Sequence, residues 1–406
     1  MQTSNFAFYR TTNMTRFFHL LLIASLFTVS GFSQNQEITR VPFILNNDHI
    51  VIQLSINGSA NMNFMFDSGA GGVLINRAFA DSIGLESASE RTNTGAVGTH
   101  TVSILKGNSL KIGDAQINGI NMMRDENTFE ELDSGEEIAG IIGFHILSRF
   151  VVKIDYDTFE LIFYNRSNYE YDGDGVIMPI VLTYNLPLIV SKVSVNNYTE
   201  FEGFFLVDTG ARSDLIISSP TVNKFNMIDA VGDHYVLKTE VGSSGKKAKI
   251  MYGKVRALEF AEHNFTEVPV ILSQAENGVL SFKGIDGIIG NRILKRFNIV
   301  FDYTRSLIYL EPNANMSKKY MVNVSGFNIS FQRGKPMVKN VIDRSPASRA
   351  GLKNGDFIIS IEGTVVEDLT SDQIRSYFDN EGKRLKLVIK RGTKLKYTEI
   401  RLRALI

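Results

Sequence analysis

The sequence contains no cysteine. That excludes disulfides, thiolate metal sites, a cysteine nucleophile and a bacterial-type lipidated N-terminus. It leaves the redox compartment open, because an exported protein can hold together without bridges. Net charge is absent too: 43 basic residues balance 43 acidic ones, and no basic run is interleaved with aromatics, so nothing points to nucleic acid. The six histidines, His19, His49, His100, His145, His234 and His263, form no close pair and no His-Glu-x-x-His, which argues against a zinc hydrolase. There is no Gly-x-Ser-Gly-Gly nucleophile motif either, and Ser68 follows an aspartate.

What is present begins with length. A chain of 406 residues with 44% hydrophobic content exceeds one ordinary core, so two or three domains are expected. Residues 1–33 read as an export signal: Arg10 and Arg16 are followed by the apolar run Phe17 to Val29 and the small-x-small site Gly31-Phe32-Ser33 before Gln34. The expected location is the periplasm, cell envelope or exterior. An uncleaved membrane anchor is the alternative, although the run is shorter than the ~20 residues of a spanning helix.

The stretch Phe66-Asp67-Ser68-Gly69-Ala70 returns about 140 residues later as Val207-Asp208-Thr209-Gly210-Ala211. Each copy follows an apolar run, so each aspartate is expected where a buried strand breaks into a turn. A second echo keeps the order and nearly the spacing. Gly140-Ile141-Ile142-Gly143 with the following segment to Phe150 recurs as Gly287-Ile288-Ile289-Gly290 with its segment to Phe297, and both run on into Asp-Tyr, at Asp155-Tyr156 and Asp302-Tyr303. Two motifs recurring together imply a duplicated unit. The polar stretch Asn165 to Gly175 marks the expected boundary between the copies.

Asp-Ser/Thr-Gly-Ala followed by Ile-Ile-Gly resembles the aspartic proteases, specifically the retropepsin-like lobe, over about residues 40–312. The resemblance implies a mainly β fold: two tandem retropepsin-like β-barrel lobes, residues 34–165 and 176–312, forming a pepsin-like bilobal unit. Asp67 and Asp208 would be the catalytic pair. Two carboxylates brought close cannot both ionise cheaply, so the pair keeps one proton, making one member a base and the other an acid. By the same resemblance the Ser68 and Thr209 hydroxyls bond across the lobe interface, and Gly69 and Gly210 allow a tight turn and leave backbone near substrate. Glycine-marked hairpins follow each motif, at Gly95-Ala96-Val97-Gly98 and Gly242-Ser243-Ser244-Gly245, and in the family such hairpins are flaps. No pepsin-like flap tyrosine is evident, which favours the retropepsin-like branch. Arg212, where the first copy has Gly71, is a candidate for the substrate channel, with a salt bridge to its own lobe as the plainer reading. No metal or cofactor is expected, and the duplication within one chain makes a monomer the default.

Beyond Pro312 the composition shifts, with Asn313 to Lys319 reading as a linker. Ser345-Pro346-Ala347 and the segment through Asn354-Gly355-Asp356 to Gly363 resemble the bacterial PDZ core, which makes residues 320–406 an α+β PDZ domain. PDZ domains bind a peptide as an added strand with its terminal carboxylate on backbone amides. Here the resemblance implies a carboxylate loop near Ser325-Gly326-Phe327, a pairing strand Asn328 to Phe331 that includes Ile329, and a helix face using Ile374 and Phe378.

The expected function is an exported aspartic endopeptidase whose PDZ domain recruits or gates peptide or protein substrates, a protein C-terminus or an extended segment among them. A reading of another class is a non-catalytic or weakly catalytic peptide-binding adaptor of the envelope. Catalytic loops that fail to face each other would favour it.

Overall fold

The computed structural model describes residues 36–126, 132–240 and 247–406; the expected export signal and the hairpin positions Gly242, Ser243, Ser244 and Gly245 lie outside them. Among the described residues, no helix is long and apolar enough to cross a membrane.

The first half supplies β1 (Glu37–Pro42), β2 (Ile44–Asn46), β3 (His49–Ile56), β4 (Met62–Phe66), β5 (Val73–Asn76) and β6 (Ser89–Gly95). It continues with β7 (Gly98–Ile112), β8 (Ala115–Asp125), β9 (Gly140–Ile142), β10 (Val151–Asp155) and β11 (Glu160–Tyr164), with helices α1 (Arg77–Ser82) and α2 (Phe144–Leu147). The second half opens with β12 (Val176–Pro179), β13 (Val181–Thr183), β14 (Leu186–Ser194), β15 (Glu200–Asp208), β16 (Leu215–Ile217) and β17 (Tyr235–Glu240). Then follow β18 (Lys247–Phe260), β19 (His263–Ser273), β20 (Gly287–Gly290), β21 (Phe297–Asp302) and β22 (Leu307–Pro312), with α3 (Ser219–Lys224), α4 (Met227–Ala230) and α5 (Asn291–Leu294).

The duplication is visible strand by strand. One eight-stranded sheet runs β2-β3-β4-β9-β5-β8-β7-β6, and the other runs β13-β14-β15-β20-β16-β19-β18-β17, the same order with each label raised by eleven. Both close on themselves through a further pairing, β3 with β7 and β14 with β18. Strand β3 is apolar on both faces and buried along nearly its whole length, as a strand enclosed in such a curled sheet must be. Each lobe starts with a two-residue hairpin turn, Asn47-Asp48 (φ 51° and 70°) and Tyr184-Asn185 (φ 52° and 67°), the left-handed pair that matches strand twist.

The remaining strands join the halves. A six-stranded sheet runs β1-β11-β10-β21-β22-β12, and its central pairing, Val152 with Phe301 and Ile154 with Ile299, links one half to the other. The break at 165–175 falls between β11 and β12, yet strands on either side of it lie in this one sheet. The apolar core is shared as well: Phe64, Phe66, Phe205 and Phe301 belong to one buried cluster.

The C-terminal domain builds β23 (Asn328–Gln332), β24 (Lys335–Lys339), β25 (Phe357–Ile361), β26 (Thr364–Val365), β27 (Arg384–Arg391) and β28 (Lys394–Arg401), with α6 (Pro346–Arg349) and α7 (Ser371–Ser376). Its sheet order β23-β24-β25-β27-β28 leaves β23 at an edge. Thr370 and Gln373 form a reciprocal cap that starts α7. The expected linker is in fact strapped down. Arg296 Nη1 donates to the carbonyls of Met316 at 2.8 Å and Lys318 at 2.7 Å, and its guanidinium lies 4.9 Å from the Tyr320 ring centre. The domain also touches the first lobe, where Arg375 Nη2 donates to Asp133 Oδ1 at 2.7 Å.

Candidate active site

Strands β4 and β15 each pair in parallel with the Gly-Ile-Ile strand of their own half, β9 and β20. The glycines opening those strands admit no side chain: a Cβ on Gly140 would strike the Leu74 carbonyl and the Phe64 ring, and one on Gly287 the Ile216 carbonyl and the Phe205 ring. This close packing carries Asp67 and Asp208 out of the two sheets toward each other.

The following residues clasp. Ser68 N–H donates to Thr209 Oγ1 at 2.9 Å, and Thr209 N–H donates to Ser68 Oγ at 3.0 Å. Ser68 Oγ donates onward to the Val207 carbonyl at 2.7 Å, and Thr209 Oγ1 to that of Phe66 at 3.3 Å. Both side chains are fully buried, so every donor and acceptor of this clasp is matched inside the protein.

The clasp sets the carboxyl groups against each other within hydrogen-bonding reach. Gly69 N–H donates to Asp67 Oδ1 at 2.7 Å and Gly210 N–H to Asp208 Oδ1 at 2.9 Å. The glycines have a reciprocal role that the turn reading missed. A Cβ on Gly69 would lie 2.6 Å from Asp208 Cγ, and a Cβ on Gly210 would collide with the Asp67 carboxyl. Each glycine makes room for the opposite aspartate. Burial raises both carboxyls above the usual range. The hydrogen bond from Asp208 and the N–H groups of Gly69, Gly210 and Ala70 oppose the rise at Asp67, and the N–H groups of Gly210 and Ala211 oppose it at Asp208, which the neighbouring Asp67 charge drives further up. Two buried carboxyls in contact cannot both ionise cheaply, so the pair titrates as a unit that holds one proton between them.

Residues 52–146 match the family model described as aspartyl protease, and residues 322–402 match the one described as PDZ domain. The chain carries an aspartyl protease lobe and a PDZ domain. The crystal structure of aspartic proteinase from Irpex lacteus is similar at 14% identity, covering 69% of this chain and 98% of that one with a TM-score of 0.45. No curated protein matches the chain.

Each lobe of the protease unit also reaches across to steady the other's aspartate loop, through residues that no motif marks. His49 Nε2 lies 3.0 Å from the Gly210 carbonyl oxygen, and Asn185 Nδ2 donates to that of Gly71 at 3.2 Å. Asp48 pairs with Arg292 Nε at 2.9 Å and Lys295 Nζ at 2.5 Å on α5. Burial alone would raise its pKa, but these two cations hold it well below the usual range.

The first glycine-marked hairpin is β6–β7, with Gly95 paired to Gly98 across its tip. The tip is seated on the second lobe. Val97 packs in a cluster with Leu186, Leu280 and Ile285, and Leu280 N–H donates to the Ala96 carbonyl at 3.0 Å. Gly278 beneath it has φ +87°, and a Cβ there would lie 2.5 Å from Gly98 N, so only glycine fits.

In the PDZ domain, Phe327 and Phe378 meet edge-on with ring centres 5.2 Å apart and line the same cavity as Asn328 and Ile329. Ile374 does not join them. It is 2% exposed within the domain's core, because α7 turns Arg375, not Ile374, toward the cavity. Gly326, at φ +79°, donates its N–H to Asn323 Oδ1 at 2.7 Å. Arg212 stands on the far wall of that cavity, together with Asp214. Among the described residues, no group of three or more His, Asp or Glu side chains is placed to hold a metal ion.

Proposed function

We propose that the protein is an aspartic endopeptidase in which Asp67 and Asp208 act as a one-proton pair on a single chain. The observation that carries this reading is the reciprocal fit of the two loops, in which each glycine vacates space for the other half's carboxyl while Ser68 and Thr209 lock the two together. An adaptor with no catalysis would not need two carboxyl groups forced into contact at the cost of raising both pKa values.

In the proposed reaction, ionised Asp67 withdraws a proton from a water held between the carboxyls, and protonated Asp208 donates to the oxygen of the scissile carbonyl. The product is a tetrahedral diol, with no covalent enzyme intermediate. Asp67 then gives its proton to the leaving amine as the C–N bond breaks, while Asp208 takes a hydroxyl proton back from the diol, leaving a carboxylic acid product and restoring the one-proton pair. The β6–β7 hairpin excludes water and orients the peptide when it closes against the second lobe. The export signal assigned to residues 1–33 would place this activity outside the cytoplasm.

The test is cleavage of casein by the chain starting at Gln34 across a wide pH range, beside Asp67→Asn and Asp208→Asn variants and a pepstatin-type inhibitor. Cleavage by the parent that both substitutions abolish is the expected result. A folded parent inactive at every pH, or activity surviving either substitution, would overturn the reading.

A further inference from the structure

The PDZ domain and the second protease lobe, with Asn46, Asn47 and Asp133 of the first half at one side, enclose a cavity of about 670 Å³. On the PDZ side its wall is the edge strand β23. The β23–β24 turn, Arg333-Gly334, has φ of 49° and 72°, and it closes on the pair Gln332 and Lys335. Counting back from that closing pair, residues alternate between bonding to β24 and facing away from it. Phe331, opposite Pro336, which has no N–H, and Ile329, opposite Val338, fall at the outward positions. Their N–H and C=O groups point along the open edge into the cavity, a ladder ready for one more strand.

The loop preceding that strand is poorly suited to a chain terminus. Gly326 N–H is already donated to Asn323, and Phe327 N–H points at Ser325 Oγ at 3.5 Å, so two amides that would cradle a terminal carboxylate are engaged within the domain. The edge is better fitted to an extended segment from within a polypeptide.

The opposite wall belongs to the protease. Asp214, six positions after Asp208, lines the cavity although only 3% exposed, and its carboxylate has no hydrogen bond or ion pair among the described residues. Burial raises its pKa, with Arg292 acting against the rise. A buried carboxylate without a donor is a vacancy for one. Arg212 and Arg292 share this wall with Leu237, Tyr252 and Ile271, and the latter three also pack against the apolar cluster that seats Val97. The same three side chains therefore meet the PDZ cavity and the apolar cluster beneath the β6–β7 tip. Arg375 fixes the width of the cavity: it pairs with Asp133 of the first lobe while its guanidinium lies 4.8 Å over the Phe331 ring.

We propose that this cavity is a composite peptide site. One extended segment of the substrate polypeptide adds as a strand to β23 while Asp214, on the facing lobe, accepts a hydrogen bond from its backbone N–H or from a basic side chain. The inference rests on the endopeptidase reading for the identity of the occupant. It makes the PDZ domain and the second lobe two jaws of one holder, with the segment running on from the PDZ edge toward the cleft.

The experiment measures binding without catalysis. Fluorescein-labelled β-casein is titrated by anisotropy against the full chain from Gln34 carrying Asp67→Asn and Asp208→Asn. Added Asp214→Asn, and separately Ile329→Pro, which removes an outward N–H without touching the β24 ladder, should each weaken binding by about tenfold or more, since loss of either jaw removes the linked contact. Because the chain has no cysteine, Asn328→Cys blocked with a bulky maleimide gives a third variant with the backbone unchanged, and it should do the same. Unchanged affinity in all three overturns the proposal. So does loss from the two PDZ changes alone with Asp214→Asn binding as the parent does, which would mean a segment held by the PDZ edge only. Tighter binding after blocking would make the domain a cover and overturn it too. Failure of the endopeptidase reading shows separately, as absent casein cleavage by the unsubstituted chain.

Discussion

The Tyr156 hydroxyl of the first half donates to Asn291 Oδ1 of the second at 2.5 Å, and Asn291 Nδ2 passes the contact on to the Asp48 carbonyl at 2.6 Å. Tyr156 and Asn291 are buried and Asp48 is partly so, and the duplicated halves are joined by this polar chain at the root of α5. The duplication is not symmetric here. Where the repeat would place a second such pair, Tyr303 meets Phe144, with rings 6.3 Å apart, and the Tyr303 hydroxyl has no hydrogen-bond partner among the described residues.

The same Asp-Tyr motif should therefore answer oppositely to the same substitution. Tyr156→Phe leaves Asn291 Oδ1 buried and unmatched and is expected to cost about 1–3 kcal/mol. Tyr303→Phe removes a buried hydroxyl that nothing satisfies and is expected to be neutral or stabilising. Urea unfolding midpoints of the two variants, compared at equal m-value, decide the matter.

Gly69→Ala and Gly210→Ala are expected to fold and to lose activity. The added methyl meets the opposite carboxyl, 2.6 Å from Asp208 Cγ in the first case. Separating the carboxyls lets both ionise, so casein cleavage should drop by about a hundredfold or more, the scale of losing acid or base participation. Retained near-ultraviolet circular dichroism with normal activity would show that the pair tolerates a wider spacing.

How much of this was legible follows from the range of each contact. The Asp-Ser/Thr-Gly and Gly-Ile-Ile-Gly motifs are readable because a carbonyl presses on Gly140 and on Gly287, and the opposite carboxyl on Gly69 and on Gly210, so closely that no side chain fits. The shared six-stranded sheet was not, because the pairing of Ile154 with Ile299 leaves no local trace in either strand. Asn313 to Lys319 read as a free linker because its polar side chains conceal carbonyls that a distant residue, Arg296, collects. Asp214 sat in plain view beside Arg212, but burial of a carboxylate against another domain is a tertiary fact. Ile374 was misplaced for a related reason: a short helix offers too few turns for its sequence to say which face meets the core.

The carboxyl pair also ties pH to both activity and stability. Its folded pKa values lie above the unfolded value of about 4, so the folded chain retains a proton that the unfolded chain has released. Stability should fall as pH rises from that unfolded value through the folded ones, and activity should fall when Asp208 deprotonates. Asp208→Asn is expected to abolish cleavage yet unfold at higher urea than the parent at pH 8, with the difference disappearing at low pH. A parent whose activity persists undiminished well above pH 8 would contradict the one-proton assignment.

Seating of the flap is open to a direct test. Val97 is buried on the second lobe and Ala96 accepts from Leu280 N–H, so the β6–β7 hairpin is held shut by one apolar plug and one hydrogen bond. Val97→Ser removes most of the plug, about 1–2 kcal/mol of burial. Amide exchange in residues 93–100 should speed up by about tenfold, while KM for casein rises as closure over the substrate becomes less favourable. Exchange unchanged from the parent would mean that Leu280 alone holds the tip.

Asp214 gives the clearest separation of binding from stability. Burial pushes its carboxyl up to about 6, against an unfolded value of 3.8, even though Arg292 and Arg296 favour the charged form. Since the folded pKa is raised, the cost is absent below the unfolded value, grows between it and the folded one, and is complete above about pH 7. The difference corresponds to about 2–3 kcal/mol carried by the unoccupied protein at neutral pH. Asp214→Asn should remove it, raising the urea midpoint at pH 8 and leaving it unchanged at pH 4. The same substitution is expected to weaken β-casein binding, because the carboxylate that destabilises the empty protein is the one a bound segment would satisfy. A residue retained only for packing would move the first measurement and leave the second where it was.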